Sequence, residues 1–288
     1  GDVYKRQVRG EELNRVKEVN MITALAGKAA GVQVSKNSSG MGGSAKVSIR
    51  GVRSVAGDNQ PLYVIDGVPM LNSTSEQAYS AIGGTANAGN RDGGDGISNL
   101  NPEDVESISI LKGAPAAALY GSQAANGVIL ITTKKGNTVG RRDIHFSTGL
   151  TFEKAFSLPE MQNSYGVSDV TDSWGEKENL TVYDNLGDFF RTGLTSITSV
   201  SVNSGNDKLQ TYFSYANTTG RGILNENKLS KHNINLRETA VLFNSRLKLD
   251  GNVNVMKQTV KNKPVSGGFY MNPVSYTHLR AHETCADL

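Results

Sequence analysis

Hydrophobic and polar positions between residues 99 and 136 change their spacing several times, and each change predicts a different element. Asn101 before Pro102 is a helix start, because a side-chain cap and a proline both suit a first turn. Residues 105–112 alternate and include β-branched side chains, which favours a strand. Residues 116–119 are good helix formers, and the Val, Ile and Thr of 128–133 suit a strand buried on both faces. The pattern therefore predicts a helical turn, a strand, a short helix and a second strand.

The beginning of the chain carries a weaker helical pattern. Leu13 and Val16 stand at i and i+3, which predicts a modest amphipathic helix. Asn20 is placed to cap a second helix, and Gly31 to end it. A strand then starts at residues 32–35. This region is therefore predicted to deliver the chain to a strand through two short helices.

The dipeptide Asp66-Gly67 separates two apolar runs, residues 63–65 and 68–70. Asp-Gly between such runs is the strongest short hairpin signal, and Pro69 confines the second arm to a sheet edge. No partner for Asp66 as a catalytic acid is visible in the sequence. We therefore interpret Asp66 as a turn former.

Two glycine-rich stretches resemble ligand-binding loops in composition only. Residues 38–44 lead into a strand rather than a helix N-terminus, which argues against a phosphate loop. Residues 71–98 lose all periodicity and predict a long loop. Within it, residues 91–96 lack the further ligands of a calcium-binding EF-hand, so turn chemistry is predicted there.

After residue 136 the chain reads as strands separated by Asn, Gly and Asp turns. The clearest strand is predicted over 246–255, with apolar and polar side chains on opposite faces. A hairpin is predicted from 196–202 and 209–217, with a further alternating run at 232–236. Alternation alone fits both a soluble antiparallel sandwich and a membrane barrel.

Composition excludes several classes of function. The chain has 288 residues, 37% hydrophobic residues and a net charge of +3, which is too small to indicate nucleic-acid binding. No catalytic order of Ser, His and Asp and no paired carboxylates are found, so we predict neither an enzyme nor a bound cofactor.

Both ends of the sequence read differently from the rest. Residues 1–7 and 275–288 resemble translated sequencing-adapter DNA, and we exclude both from fold reasoning. The second stretch holds the single cysteine, Cys285, near His278, His282 and Glu283. We interpret this set as non-native sequence and predict no metal site. Without it, cysteine usage indicates nothing about redox compartment.

Two motifs carry a family resemblance. The sequences Leu119-Tyr120-Gly121 and Ala125-Asn126-Gly127 resemble the plug signature shared by TonB-dependent outer-membrane receptors. The sequence PLYVIDGVP at 61–69 and the run from Asn101 to Lys112 resemble the SusC/RagA branch of nutrient importers. The plug-signature positions, with a structural role expected, are Arg50, Gly51, Asp66, Gly67, Pro69, Gly113, Tyr120, Gly121, Asn126 and Gly127. For Arg50 we expect an ion pair within the plug rather than a bound carboxylate substrate.

The resemblance implies a fold and a domain order. We expect an α+β plug domain, a small mixed sheet with short helices, over residues 8–137. We expect antiparallel β-strands of a truncated transmembrane β-barrel over residues 138–274. Large plugged transporters use about 22 strands, and this length holds about five or six. An open sheet leaves unpaired amides in lipid, so we expect a fragment of a longer protein.

The resemblance also implies an importer in the cell outer membrane, in contact with its lipid. A SusD-like surface lipoprotein would deliver oligosaccharide or peptide, and TonB would act through a box upstream of residue 8, behind a signal peptide. Two alternatives remain: a siderophore or cobalamin receptor sharing the generic plug, and a soluble glycan-binding β-domain without transport activity. The substrate-contacting residues are not identified by the sequence.

Overall fold

The computed structural model describes residues 5–36, 41–51, 59–70, 74–77, 91–158, 164–166, 175–177, 185–243 and 246–261. Two five-stranded sheets dominate these residues, together with two smaller hairpins. The first sheet is built from short strands and the second from long ones. We refer to them as the mixed sheet and the long-strand sheet.

The mixed sheet has the spatial order β1-β8-β9-β4-β5. Its strands are β1 (Lys5–Arg9), β4 (Leu62–Ile65), β5 (Val68–Met70), β8 (Val105–Leu111) and β9 (Val128–Thr133). Strands β4 and β9 run parallel, and the other neighbours are antiparallel. The predicted strands at 105–112 and 128–133 are thus confirmed, and so is the small mixed sheet.

Short helices and a hairpin cover this sheet. The helices are α1 (Gly10–Leu13), α2 (Met21–Ala24) and α3 (Ala114–Tyr120), with 3₁₀ turns at Gly96–Asn99, Pro102–Asp104 and Gly121–Ala124. Strands β2 (Val32–Lys36) and β3 (Ala45–Ile49) form an antiparallel hairpin. Fully buried side chains such as Leu13, Met21, Ile108 and Ile129 make one contiguous hydrophobic core. That core is what makes the first part of the chain a folded unit.

Side-chain caps begin the helical turns where the sequence predicts them. The Asn20 side chain accepts a hydrogen bond from the Ile22 amide at 2.9 Å. The Asn101 side chain accepts one from the Glu103 amide at 3.2 Å. The amphipathic pattern of Leu13 and Val16 is wrong, because α1 ends at Leu13 and Val16 is 62% exposed.

The Asp66-Gly67 hairpin is confirmed. Asp66 has φ of 49° and Gly67 has φ of 90°, so both turn residues adopt the left-handed conformation that a tight two-residue hairpin requires. Ile65 pairs with Val68 across the turn. Pro69 lies in β5 at the edge of the mixed sheet, as predicted.

The long loop predicted over residues 71–98 is only partly correct. Strands β6 (Thr74–Gln77) and β7 (Arg91–Asp95) pair within it, and a 3₁₀ turn follows. Three glycines near β7 hid this strand from a pattern based on alternation. The Asp95 carboxylate accepts hydrogen bonds from the Ala45 and Ser98 amides, which is the turn chemistry predicted for residues 91–96.

The long-strand sheet follows the chain order β10 to β14 and is antiparallel throughout. Its strands are β10 (Arg142–Glu153), β11 (Gly193–Gly205), β12 (Leu209–Arg221), β13 (Lys228–Leu242) and β14 (Leu247–Lys261). A short helix, α4 (Asn185–Phe189), precedes β11. The predicted strands are confirmed in place, but each is longer than its alternating run. Strand β10 was missed by the alternation pattern.

One face of the long-strand sheet is apolar and exposed. Two rows of side chains run across all five strands in register. The first apolar row is Ile144, Val202, Phe213, Leu236 and Val253, and the second apolar row is Phe146, Val200, Tyr215, Ile234 and Val255. We call this the outer face. The inner face carries the alternate positions and lies against the mixed-sheet unit.

The domain boundaries at residues 7, 137 and 274 stay predictions. Lys5 to Gln7 pair with β8 as part of β1, so the exclusion of residues 1–7 from fold reasoning omitted part of a strand. Backbone pairing does not depend on where those residues come from. The set His278, His282, Glu283 and Cys285 lies outside the described residues.

Candidate functional site

The surface between the mixed-sheet unit and the long-strand sheet is polar, and β13 supplies most of it. Alternate side chains of β13 are polar yet almost fully buried: Lys231, Asn233, Asn235, Arg237 and Thr239. Burial of such side chains is costly unless they are paired. The partners of Lys231, Asn233 and Arg237 in the mixed-sheet unit therefore identify what the inner face binds.

Arg237 links the Asp66-Gly67 turn to the long-strand sheet. Its Nη1 lies 2.8 Å from Asp66 Oδ2, and the same nitrogen donates to Thr133 Oγ1 at 2.5 Å. Its Nε and Nη2 donate to the two oxygens of Asp250 on β14, at 2.9 and 2.8 Å. A planar guanidinium suits this bidentate arrangement. Asp66 is thus a turn former and also an ion-pair partner.

The Asp66 carboxylate is fixed from both sides. Its Oδ1 accepts a hydrogen bond from the Thr133 amide at 2.9 Å, at the end of β9. Lys135 adds a second positive group, with Nζ 3.3 Å from Asp250 Oδ2. A cleft of about 390 Å³ lies beside this network and is lined by Asp66, Lys135, Arg237 and Asp250 together with Tyr120 and Leu130. Its lining is strongly charged, so the network remains accessible to water.

Asp104 makes a second, more deeply buried contact. Its carboxylate is fully buried and accepts a hydrogen bond from the Tyr212 hydroxyl at 3.0 Å. Burial raises the pKa of Asp104 above its ordinary value, while hydrogen bonds from Ser214 and Tyr212 and the charge of Lys134 act in the opposite direction. Burial likewise lowers the pKa of Lys134, against the attraction of Asp104. An ionisable pair is therefore held at the boundary between the two units.

Two further β13 side chains bind the end of a 3₁₀ turn. Lys231 Nζ donates to the Ser98 carbonyl at 2.6 Å, and Asn233 Nδ2 donates to the Asn99 carbonyl at 2.7 Å. Carbonyls at the end of a helical turn lack partners within it, and a lysine is favourable there. These contacts fix the Gly96–Asn99 turn on the inner face.

A fourth contact involves the segment between α1 and α2. Lys17 contacts both Glu103 and Ser147, which joins this segment, the Pro102–Asp104 turn and β10. Ser147 also donates to Glu103 at 3.4 Å. The first long strand is therefore bound to the mixed-sheet unit at its own inner face.

Among the predicted plug-signature positions, Asp66 contacts the long-strand sheet through its ion pair with Arg237. Arg50 and Gly51 follow β3 with positive φ of 62° and 86°, and the Arg50 guanidinium lies beside Gly113. Gly113 and Gly121 flank α3, which ends at Tyr120. Asn126 donates to the Gln60 carbonyl, and Gly127 precedes β9. The ion pair expected for Arg50 stays a prediction.

Sequence reasoning missed the residues of the interface itself: Asp104, Tyr212, Lys231, Asn233 and Arg237. The signal that was available is the run from Lys228 to Leu242, where polar side chains recur at every second position together with one arginine. Alternation was recognised only at residues 232–236. The alternation did not indicate that the polar face of this strand is the buried one.

Neither a metal-binding cluster nor a membrane-spanning helix is found among the described residues. No group of three or more His, Cys, Asp or Glu side chains in it is arranged to hold a metal ion. No helix among the described residues is long and apolar enough to cross a membrane.

Comparison with known proteins identifies the family. Residues 4–128 match the model of the TonB-dependent Receptor Plug Domain. The chain is 31% identical over 275 residues to the TonB-dependent receptor SusC of Bacteroides thetaiotaomicron, a match that covers 91% of this chain and 25% of SusC. The chain belongs to the TonB-dependent receptors of the SusC/RagA type. The mixed-sheet unit is thus the plug, and the match to SusC continues through the long-strand sheet.

Solved structures agree with this family assignment at the level of fold. The RagAB peptide importer in its open-open state superposes with a TM-score of 0.65 at 24% identity, covering 89% of this chain and 30% of that one.

A siderophore receptor is also similar in sequence. The ferric enterobactin receptor PirA of Pseudomonas aeruginosa is 33% identical, but over 44% of this chain and 16% of its own length. The chain therefore spans about a quarter of SusC and less of PirA.

Proposed function

We propose that this chain is the plug and first barrel strands of an outer-membrane importer that takes up oligosaccharides or peptides. A SusD-like surface lipoprotein delivers the ligand, and TonB supplies the energy through a segment upstream of the plug. The observation that carries the proposal is the extent of the similarity to SusC, which includes the strands as well as the plug. The peptide importer RagAB, with the same fold, supports the substrate class.

The interface supports a plug that is held by the barrel wall yet can separate from it. Its contacts are ion pairs and hydrogen bonds, such as Arg237 with Asp66 and Tyr212 with Asp104. Polar contacts exchange readily with water, whereas a dry apolar core does not. Separation of the plug from the wall would therefore expose side chains that water can solvate.

The outer face supports placement in a membrane. Its two apolar rows cross all five strands without a charged residue. Several of these side chains are highly exposed, including Ile144 at 74% and Phe146 at 67%. An apolar band of this kind is expected where a barrel contacts lipid.

A siderophore receptor is the second candidate, because the plug is also similar to ferric enterobactin receptors. The two functions predict different growth phenotypes for a strain that lacks the complete gene. Loss of growth on an oligosaccharide or peptide source, restored by the gene but not in a strain lacking TonB, is the result expected for the importer. Loss of growth restricted to iron limitation with ferric enterobactin would support the siderophore receptor instead.

The lipoprotein partner is tested separately. Affinity purification of the complete receptor from outer membranes should recover a SusD-like lipoprotein in about equal amount. Recovery of the receptor without such a protein, from membranes that contain it, would contradict that part of the proposal.

A further inference from the structure

Three positive side chains lie next to one another on the outer face at the loop end of the long-strand sheet. Arg221 on β12 pairs in register with Lys228 on β13, and Lys228 pairs with Lys261 on β14. All three are exposed. Directly opposite side chains in an antiparallel pair have Cβ atoms about 4.5–5.5 Å apart. We call these three residues the basic cluster.

The charges of the basic cluster are poorly balanced by the protein. Like charges directly opposite each other destabilise a sheet. Glu226, in the loop between β12 and β13, pairs with Lys228 at 2.8 Å and is itself exposed. Glu153, at the end of β10 beside Gly193, is a second acid at this end of the sheet. Two acids beside three cations still leave an excess of positive charge. An external anion would remove the repulsion.

The described rows of the outer face next to the basic cluster carry no acidic residue. Counting from the second apolar row towards the basic cluster, the next rows on the outer face are a polar row, a hydroxyl-rich row and the row of the cluster itself. Their members are Thr148, Thr198, Asn217, His232 and Lys257; Leu150, Ser196, Thr219, Ser230 and Thr259; and Phe152, Leu194, Arg221, Lys228 and Lys261. None of them is acidic, and Lys257 adds a fourth cation.

The order of polarity along the strands corresponds to the layers of a membrane. The apolar rows come first, and the next row carries His232, whose Nδ1 lies 2.9 Å from the Tyr215 hydroxyl. At about 3.4 Å per residue, the six residues from Val255 to Lys261 cover about 20 Å of strand, or about 14 Å of height at a tilt of about 45°. The offset of the basic cluster from the second apolar row is therefore about half of the hydrocarbon thickness of about 30 Å, which favours a position near the headgroups.

The opposite end of the same sheet has no comparable excess of charge. Arg142 and Glu238 occupy one row there, and Asp207 stands beside Lys208 in the turn between β11 and β12. Arg141 also lies 3.6 Å from Asp143. The positive excess is confined to the end of the sheet that carries the loop from Gly222 to Asn227.

We propose that Arg221, Lys228 and Lys261 bind the phosphate group of a phosphorylated glycolipid in the outer leaflet. The inference rests on the proposed function, because it requires the outer face to contact a membrane and the loop end of the sheet to face the cell exterior. Three cations converging on one phosphate provide charge-assisted hydrogen bonds, and the apolar rows beneath hold the acyl chains. The site would be a fixed lipid contact on the outside of the barrel, separate from the substrate path in its interior.

Binding of diphosphoryl lipid A to the complete purified receptor in detergent tests this assignment. The test variant combines Arg221→Gln, Lys228→Gln and Lys261→Gln. The matched control combines Arg142→Gln, Lys208→Gln and Arg246→Gln, which removes the same charge from the opposite end of the sheet. We expect the test variant to bind at least about tenfold more weakly than wild type and the control to stay within about twofold.

Two results would overturn the proposal. One is equal weakening in the test variant and the control, which would show general charge attraction. The other is complete displacement of lipid A by inorganic phosphate at equal concentration, which would show a site for free phosphate rather than for a lipid. The single variants Arg221→Gln and Lys261→Gln should each give a smaller loss, and unchanged binding in both would also count against the cluster.

Failure of this inference can be separated from failure of the proposed function. Localisation and growth are measured on the same three proteins in cells. If the wild-type receptor reaches the outer membrane and supports growth, but the test variant binds lipid A like the control, the lipid site alone is contradicted. If the wild-type receptor is absent from the outer membrane, the proposed function itself is contradicted.

Discussion

Arg237 is the residue on which contact between the plug and the barrel wall depends most. Its side chain is 4% exposed, and it holds Asp66 on the plug and Asp250 on the neighbouring strand. Truncating one partner of such a network leaves the others desolvated and unpaired. The two carboxylates are partly exposed, at 18% and 28%, so water compensates for some of the loss.

We therefore expect Arg237→Met to lower the free energy of plug opening in the complete receptor by about 1–3 kcal/mol, below the cost for a fully buried pair. By plug opening we mean local opening of the mixed sheet. Hydrogen exchange of the β9 amides, which pair with β4 and β8, measures it. Arg142→Met, on an exposed arginine of β10, is the control and should change it little. If Asp66→Asn has the same effect with and without Arg237, the two residues are not coupled and the ion pair does not hold the plug.

Asp104 makes the interface sensitive to pH. Burial raises its pKa in the folded protein, so the folded state retains a proton that the unfolded chain releases above about pH 4. The folded state binds more protons in this window, and stability therefore falls as pH rises through it. Asp104→Asn should flatten that dependence, because the amide cannot ionise.

The measurement is denaturant unfolding of the complete receptor at several pH values above 4. Asp143→Asn, on an exposed carboxylate of β10, is the matched control and should keep the slope of the wild type. Equal slopes for wild type and Asp104→Asn would mean that Asp104 does not titrate in this window.

Local elements could be predicted from the sequence, whereas contacts between distant residues could not. The Asn20 and Asn101 caps, the Asp66-Gly67 turn and strands β8 and β9 follow from residues within a few positions of one another. The interface does not, because Arg237 and Asp66 are 171 positions apart and Tyr212 and Asp104 are 108 apart. Period-two alternation reveals two faces, but which face is buried depends on the unit packed against it.

Gly127 provides a test at the level of packing between elements. A Cβ at this position would lie 2.9 Å from Ile49 Cδ1 and 3.0 Å from the Leu111 carbonyl oxygen, and its φ is +98°. Gly121 also has a positive φ, of +67°, but a Cβ there would meet nothing within 4 Å. The comparison separates backbone strain from steric overlap.

Gly121→Ala is expected to cost about 1–3 kcal/mol from backbone strain alone, because φ of 67° with ψ of −150° is a conformation that L side chains rarely adopt. Gly127→Ala should cost at least about 1 kcal/mol more, because β3 and β8 must move apart. Hydrogen exchange of the β8 and β9 amides in the complete receptor gives both values. Equal costs would show that β3 adapts without strain.

At the scale of the whole molecule, the two sheets perform different tasks. The plug has its own hydrophobic core, whereas the long-strand sheet has a polar inner face that binds the plug and an apolar outer face. Both edges of that sheet, β10 and β14, lack a neighbouring strand within the described residues. From family membership and this division of faces we infer that the sheet is part of a barrel wall around the plug.

A structure of the complete receptor in lipid nanodiscs, determined by electron cryo-microscopy, tests that claim most directly. We expect lipid density against the rows of Phe146 and Ile144. We also expect Arg237 to lie within hydrogen-bonding distance of Asp66 inside a closed barrel. Burial of those apolar rows against other protein, as in a soluble sandwich with no lipid contact, would contradict it.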